Sequence, residues 1–279
     1  MLKPNLYNLA NKKLYMKRTI LITGTSSGIG KSTALYFQKK GWNVVATMRN
    51  PEDRKTELHK TDMDLMHLDV LDKKSIKKAF DHVSKNYNTL DAVVNNAGYG
   101  IFGPFEYTKS EDAEKNFHTN VLGLMDVTRS ALKQMKKQNS GTIINVSSIA
   151  GKICSPFFSI YYSTKHAIEG FSESLYYELK PFNIKVKIIE PGFIDTGFLD
   201  SLKEVKAKDY KKYAKKTKEY MENQNRSDPV EVAKTIFKAA TDDNWKLRYP
   251  TGKSSRSLLF LKRIIPHPLF KKVTEMITT

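Results

Sequence analysis

Seven short apolar runs, rich in β-branched residues and separated by helix-length segments, constrain this chain more than any other feature. They cover residues 18–23, 43–47, 64–68, 92–95, 142–146, 185–190 and 246–249. The intervening segments 30–40, 72–87, 110–137, 161–180 and 230–240 have helical character. In the second, Ile76, Ala79, Phe80 and Val83 recur at helical spacing, and Asp228-Pro229 opens the last as an aspartate cap with proline in the first turn. Strands apolar on both faces and joined by helices imply a parallel sheet covered on both sides, with right-handed crossovers. The expected fold class is therefore α/β: a doubly wound, Rossmann-type single domain with a seven-stranded parallel sheet, which binds ligands at the carboxyl ends of its strands. Three parts break the alternation. They are a polar N-terminal extension, 1–16, within which Met16 is a second candidate start; a lysine-rich helical insert at about 197–227; and a tail at 251–279. The catalytic domain is expected over 17–250, with the insert as a substrate lid and the tail near the substrate site.

The first strand runs into Thr23-Gly24-Thr25-Ser26-Ser27-Gly28-Ile29-Gly30, and a helix follows. Glycines let the backbone turn tightly and approach a pyrophosphate, and the helix presents free N–H groups and the positive end of its dipole. One glycine would serve a plain turn. Three between an apolar strand and an amphipathic helix point to phosphate binding through Gly24, Ser26, Ser27, Gly28, Ile29 and Gly30. The spacing is G-x3-G-x-G rather than the G-x-G-x-x-G dinucleotide fingerprint.

That spacing resembles the short-chain dehydrogenase/reductase family, and further motifs follow in family order over about residues 17–250. Asn95-Asn96-Ala97-Gly98 closes the fourth strand. Tyr161-Tyr162-Ser163-Thr164-Lys165 matches the family's Tyr-x3-Lys motif, Ser148 lies thirteen residues ahead of that tyrosine, and Pro191-Gly192 follows the sixth strand with Thr196 beyond. The resemblance implies an NAD(P)-dependent oxidoreductase that interconverts alcohol and carbonyl groups. It makes Asn96, Ala97 and Gly98 cofactor contacts. It assigns adenine contacts to Asp69 and Val70, and a nicotinamide-fixing segment to Pro191, Gly192, Ile194 and Thr196.

Such a reaction needs a hydride from the cofactor and a proton from the protein. A free phenol, with a pKa near 10, is a weak base at neutral pH, and an adjacent ammonium lowers that pKa. On a helix, Tyr161 and Lys165 share a face. Alone, such a pair is usually a solvated surface; behind Ser148 and a phosphate loop it reads as the catalytic pair. Ser148 is the expected donor to the substrate oxygen, with Ser147 as the alternative. The resemblance adds Asn120 as support for a water-linked proton relay through Lys165. Tyr162 and His166 read as packing or surface residues, and Cys154 as a space filler that could border the pocket.

No acid closes the second strand, which ends Ala46-Thr47-Met48-Arg49-Asn50. An acid there would bind a ribose 2′-hydroxyl, whereas Arg49 suits a 2′-phosphate, with Ser26 a second contact. NADP is expected over NAD, and a reductase over an oxidase. Tyr99, Ile101, Phe102, Phe105, Phe157, Phe158, Phe193, Phe198 and Leu199 are expected near the nicotinamide, so a hydrophobic alcohol, ketone or aldehyde is the expected substrate. Residues 46–51 and 260–266 resemble the hydroxysteroid and retinol dehydrogenase-like subgroup, an analogy that names no substrate.

The net charge of +18 invites a nucleic-acid or anionic-surface reading. Lysine is abundant along the whole chain, and no nucleic-acid motif stands out, so no nucleic-acid partner is expected. No apolar run of membrane-spanning length is present, while peripheral contact of the apolar-basic tail with a membrane stays open. A single cysteine and scattered histidines point to a cytoplasmic location and no metal. By resemblance, a homodimer or homotetramer pairs through helices at about 110–137 and 159–181. A non-enzymatic NADP-sensing or scaffold protein on the same fold is the competing reading; the retained Asn120, Ser148, Tyr161 and Lys165 speak against it.

Overall fold

The computed structural model describes residues 17–52 and 57–278, so the expected N-terminal extension, 1–16, lies outside the described residues. In chain order the elements are β1 (Thr19–Thr23), α1 (Gly28–Lys39), β2 (Asn43–Met48), β3 (Asp64–His67), α2 (Lys73–Asn86), β4 (Ala92–Asn95), β5 (Ile101–Phe102), α3 (Ser110–Phe117), α4 (Gly123–Gln138), β6 (Gly141–Val146), α5 (Ser159–Leu179), β7 (Ile184–Pro191), β8 (Lys203–Glu204), α6 (Lys211–Glu222), α7 (Pro229–Thr241), β9 (Arg248–Thr251), α8 (Lys253–Ile264) and α9 (His267–Thr278). Seven strands form one parallel sheet in the order β3-β2-β1-β4-β6-β7-β9. The chain turns back between β1 and β4, and the crevice at that switch point opens where β1 runs into the glycine turn.

Alternation along the strands divides the core into two layers. Ile20, Ile22, Val44, Ala46 and Val94 face α1 and α7, where Phe37 stacks edge-on to Trp42 and Phe237 at 5.0 and 5.2 Å. Leu21, Val45, Val93, Ile143 and Val186 face α2, α4 and α5. Asp228 caps α7 through Val230 N–H at 2.7 Å, as the sequence suggests, and Asp72 caps α2 by accepting from the Lys74 N–H at 2.8 Å.

Three local features differ from the sequence expectation. The last strand lies two residues later than 246–249, because the register pairs Tyr249 with Ile189 and Thr251 with Pro191, which buries both side chains. The long segment 110–137 divides into α3 and α4 around a π-helical turn at His118–Leu122, which holds Asn120. The insert is not purely helical. Its β8 pairs with β5 in a separate two-stranded sheet before α6 begins, so the insert is hydrogen-bonded to the segment after β4. The tail forms two helices interrupted at Ile265 and Pro266, as its prolines require.

Candidate active site

The site starts at the turn after β1. Gly24 has φ 71°, a left-handed value that favours glycine. A Cβ on Gly30 would fall 2.2 Å from the Gly24 carbonyl oxygen, so only glycine lets α1 lie this close to the strand. Asn96 holds the turn from the neighbouring strand, its Nδ2 donating to the Thr23 and Gly24 carbonyls at 3.0 Å each. Thr23 Oγ1 returns the link by accepting from Asn96 and Ala97 N–H groups at 3.0 and 3.1 Å. At the start of α1, Ser27 makes no side-chain cap and no acid stands in the first turn. The positive end of the helix therefore faces a cavity with its N–H donors uncapped by side chains, as an anion-binding turn requires.

That cavity has a volume of about 730 Å³ and runs from the glycine turn past the end of β4 to an apolar mouth. Nearly every residue expected to bind the cofactor lines it: Gly24, Ser26, Ser27, Gly28, Ile29, Arg49, Asp69, Val70, Asn96, Ala97, Gly98, Tyr161, Lys165, Pro191, Gly192, Ile194 and Thr196. Gly30 is outside the wall, and its contribution is the close packing just described. Arg49 is exposed at the cavity rim beyond β2.

Tyr161, in the first turn of α5, and Ser148, after β6, both line the cavity floor, with the Ser148 hydroxyl on the side of the phenol where it favours ionisation. Ser148 Oγ also donates to the Pro191 carbonyl at 3.4 Å, a long bond that can be redirected, and accepts from Ala150 N–H at 3.1 Å. Its alternative, Ser147, is buried, and its hydroxyl has no partner among the described residues. The geometry favours Ser148 as the partner of Tyr161.

Lys165 is buried one turn beyond Tyr161. Its Nζ donates to the Val146 carbonyl at 2.9 Å and lies 5.8 Å from the centroid of the Tyr161 ring. The expected lowering of the phenol by the lysine is not what this geometry produces. Burial pushes the Tyr161 pKa well above its ordinary value, the nearby Tyr162 adds to this, and only the Ser148 hydroxyl works against it. The reason is positional, because the ammonium is turned to a backbone carbonyl below the ring. Lys165 itself is pulled down to about 8 by burial, with Glu169 opposing.

Asn120 is buried behind the wall, accepting from Tyr99 N–H at 3.1 Å and donating to the Tyr99 carbonyl at 2.9 Å and to Thr164 Oγ1 at 3.1 Å. Both amide hydrogens are thereby committed, and the side chain braces the Gly98–Tyr99 backbone against α5. Below it, Asn95 Nδ2 bonds Asn145 and Thr128, and Asn145 Nδ2 bonds Ser172, a buried ladder joining β4, β6, α4 and α5.

Five of the nine apolar residues expected near the nicotinamide line the cavity: Tyr99, Phe158, Phe193, Phe198 and Leu199. Ile101 and Phe102 are instead core residues of the small sheet, Phe157 packs on Phe102 and Tyr210, and Phe105 is exposed. Tyr162, expected only to pack, is buried on the wall with its hydroxyl 2.8 Å from Ser155 Oγ, and Cys154 stands at the rim. The mouth owes as much to residues the sequence reading did not assign to it: Tyr220 and Met221 on α6, Leu258 and Leu261 on α8, and Phe270 on α9. The i, i+3 spacing of Leu258 and Leu261 was the available signal. Also unforeseen is an ionic cluster behind Lys165. Arg248 bridges Glu169, Glu190 and Glu173, and Lys152 reaches Glu169 at 3.1 Å. Burial and the neighbouring Glu169 push Glu190 up to about 7 despite Arg248.

Comparison with known proteins agrees with this geometry. Residues 18–207 match the family model described as short chain dehydrogenase. The uncharacterized oxidoreductase YusZ of Bacillus subtilis is 37% identical over 275 residues, covering 93% of this chain and 98% of its own. A 3-ketodihydrosphingosine reductase of Bacteroides thetaiotaomicron is 36% identical over 182 residues, 65% of this chain and 66% of its own. The solved structure of ElxO with NADP bound superposes with a TM-score of 0.71 at 32% identity, covering 84% of this chain and 98% of that one. With the glycine turn, the serine–tyrosine–lysine floor and these matches in agreement, the chain belongs to the short-chain dehydrogenase/reductase family.

Proposed function

We propose that this protein is an NADP(H)-dependent reductase of hydrophobic ketones or aldehydes, with Tyr161 as the proton donor. The observation that carries the reading is the meeting of Tyr161 and Ser148 on the floor of one cavity, between an uncapped helix terminus and an apolar mouth. The residues present fit a dinucleotide. The turn around Gly24 and Gly30 leaves no room for a Cβ, α1 offers N–H donors to the phosphates, and Arg49 stands where a bidentate contact to a 2′-phosphate is available. NADP is bound by the similar ElxO, and the lipid-ketone substrate named for the Bacteroides relative suits an apolar mouth.

The nicotinamide supplies the hydride when bound; the protein handles the oxygen. Ser148 Oγ, held only weakly by Pro191, turns its hydrogen to the substrate carbonyl and stabilises the charge that develops there. The Tyr161 hydroxyl gives that oxygen its proton. A phenol kept neutral by burial is suited to donate to an emerging alkoxide and poorly suited to abstract from an alcohol, which favours the reductive direction. Lys165, 5.8 Å from the centre of the ring, is the replacement proton source, and Asn120 keeps Tyr99 and Thr164 in register around it. The α6 lid and the tail helices keep water from the reacting oxygen. Pairing of two copies through α4 and α5 accompanies this reading, and sedimentation over a range of concentrations measures it; a monomer throughout would remove that part.

The test is reduction of a panel of hydrophobic ketones and aldehydes with NADPH, followed at the nicotinamide absorbance. Tyr161→Phe is expected to lower kcat by about 10²–10⁴-fold while leaving NADPH affinity nearly unchanged. Turnover that survives in the variant removes Tyr161 from the chemistry.

A further inference from the structure

The two tail helices do more than close the cavity. On α8, Leu258 and Leu261 face the pocket, while Phe260 and Ile264, one turn apart on an adjoining face, stand in solvent at 65% and 61% exposure. On α9, Phe270 and Thr274 line the cavity, while Leu269 and Met276, two turns apart, are 51% and 82% exposed. The helices that form the apolar mouth therefore carry a second apolar surface pointing outward. Large exposed hydrophobics gathered around an opening call for an occupant.

Charge identifies the occupant. Residues 253–279 hold six lysines and arginines against one acid, Glu275. Lys262 and Arg263 are exposed beside Ile264, and Lys271 and Lys272 are exposed beside Leu269. A second copy docked face to face would bring these cations together, because a two-fold interface pairs a surface with itself. An anionic lipid surface matches both the apolar side chains and the surrounding cations, as in interfacial amphipathic helices. Among the described residues no helix is long and apolar enough to cross a membrane, so the contact is with one face of a bilayer.

We propose that α8 and α9 seat this enzyme on anionic membranes, with the pocket mouth against the lipid, so that an acyl-chain ketone or aldehyde enters directly from the bilayer. The lipid-substrate half rests on the reading of the cavity as a reductase site; the seating half rests on the tail alone. Leu258, Leu261 and Phe270 would meet the chain as it enters, and the polar carbonyl end would lead towards Tyr161 and Ser148. Because α9 packs against α6, the seated tail and the lid share one wall of the entrance.

Flotation of the full chain with vesicles tests the seating directly. Binding is expected to vesicles of phosphatidylcholine with phosphatidylglycerol, to fall with added salt, and to be much weaker on phosphatidylcholine alone. Phe260→Asp, Ile264→Asp and Leu269→Asp together should abolish it. Each charge reversal among Lys262, Arg263, Lys271 and Lys272 should weaken it by about fivefold or more. The triple variant should keep its melting temperature and its rate on a short water-soluble ketone, while losing most of its rate on a long-chain ketone presented in anionic vesicles. Absence of flotation by the unaltered protein at low salt overturns the proposal. So does a concentration-dependent oligomer that the triple variant dissolves, since a second copy would then cover the face. If the protein floats but reduces neither ketone, the seating stands and the reductase reading fails.

Discussion

Replacing Lys165 by methionine should make the protein more stable at neutral pH while destroying its activity. The magnitude follows from the burial of the ammonium. Its pKa falls from 10.5 to about 8 on folding, with burial the larger cause and Glu169 opposing. A lysine whose folded pKa is depressed binds fewer protons folded than unfolded between those values. Its charge therefore opposes folding fully below pH 8, and the opposition fades as pH rises towards 10.5. The shift corresponds to about 3 kcal/mol at pH 7, about 2 at pH 9 and under 1 at pH 10. Methionine fills a similar volume but leaves the Val146 carbonyl without its 2.9 Å donor, a loss of about 1 kcal/mol. Lys165→Met should therefore gain about 2 kcal/mol at pH 7, and the two stability curves should cross near pH 10. Urea unfolding followed by circular dichroism at pH 7, 9 and 10 measures this. A variant less stable than the parent at pH 7, or a gap that does not change with pH, would refute the account of Lys165 as a charge buried at a cost.

Two further substitutions probe the cofactor half of the cavity. Arg49→Asp should weaken NADPH binding by about 10–100-fold, the worth of a charge-assisted phosphate contact, and move preference towards NADH. Titration of both cofactors by fluorescence reads it, and an unchanged preference would remove Arg49 from phosphate recognition. Gly30→Ala would place a methyl 2.2 Å from the Gly24 carbonyl and 2.6 Å from Asn96 Nδ2, both held by their mutual hydrogen bond. Relief must move the turn or the helix, at about 1–3 kcal/mol, so melting should fall by about 2–8 °C together with NADPH affinity. Melting and binding both equal to the parent's would show that the close approach is not required.

The sheet was legible because its strands are buried on both faces, so that runs such as Ile20-Leu21-Ile22 announce themselves without a partner. The glycine turn and the side-by-side placement of Tyr161 and Lys165 were legible for a different reason: both follow from spacing along one stretch of chain. What stayed hidden depends on distance across the fold. The pairing of Ile101-Phe102 with Lys203-Glu204 joins segments a hundred residues apart, and neither run is long enough to read as a strand. Phe102 and Phe158 are both aromatic residues near the active-site loops. Only the packing shows that the first is a core residue of the small sheet and the second a wall of the cavity. Arg248, Glu169 and Glu190 come from three elements, and nothing local marks them as a cluster. The orientation of Lys165 towards Val146 is of the same kind. Its spacing to Tyr161 follows from the sequence, whereas its hydrogen-bond partner is set by the end of β6.

That orientation leads to a prediction about the direction of the reaction. One cause, burial, moves Tyr161 and Lys165 oppositely: the phenol becomes a weaker acid and the ammonium a stronger one. Once Tyr161 has given its proton to the emerging alcohol, the phenolate takes a replacement more readily than usual, and Lys165, at about 8, releases one more readily than usual. Transfer from lysine to phenolate is therefore downhill, and the reverse step, which alcohol oxidation needs, is uphill by the same difference. Reduction should proceed fully while Lys165 is protonated and decline as pH rises through about 8; oxidation should gain over the same range. The sign follows because a depressed lysine pKa brings the loss of its proton into the range just above neutrality. Measuring kcat in both directions from pH 6 to 10, with cofactor and substrate saturating, reads the profile. A reductive rate that stays level to pH 10 would mean that the proton reaches Tyr161 by a route that does not involve the Lys165 ammonium.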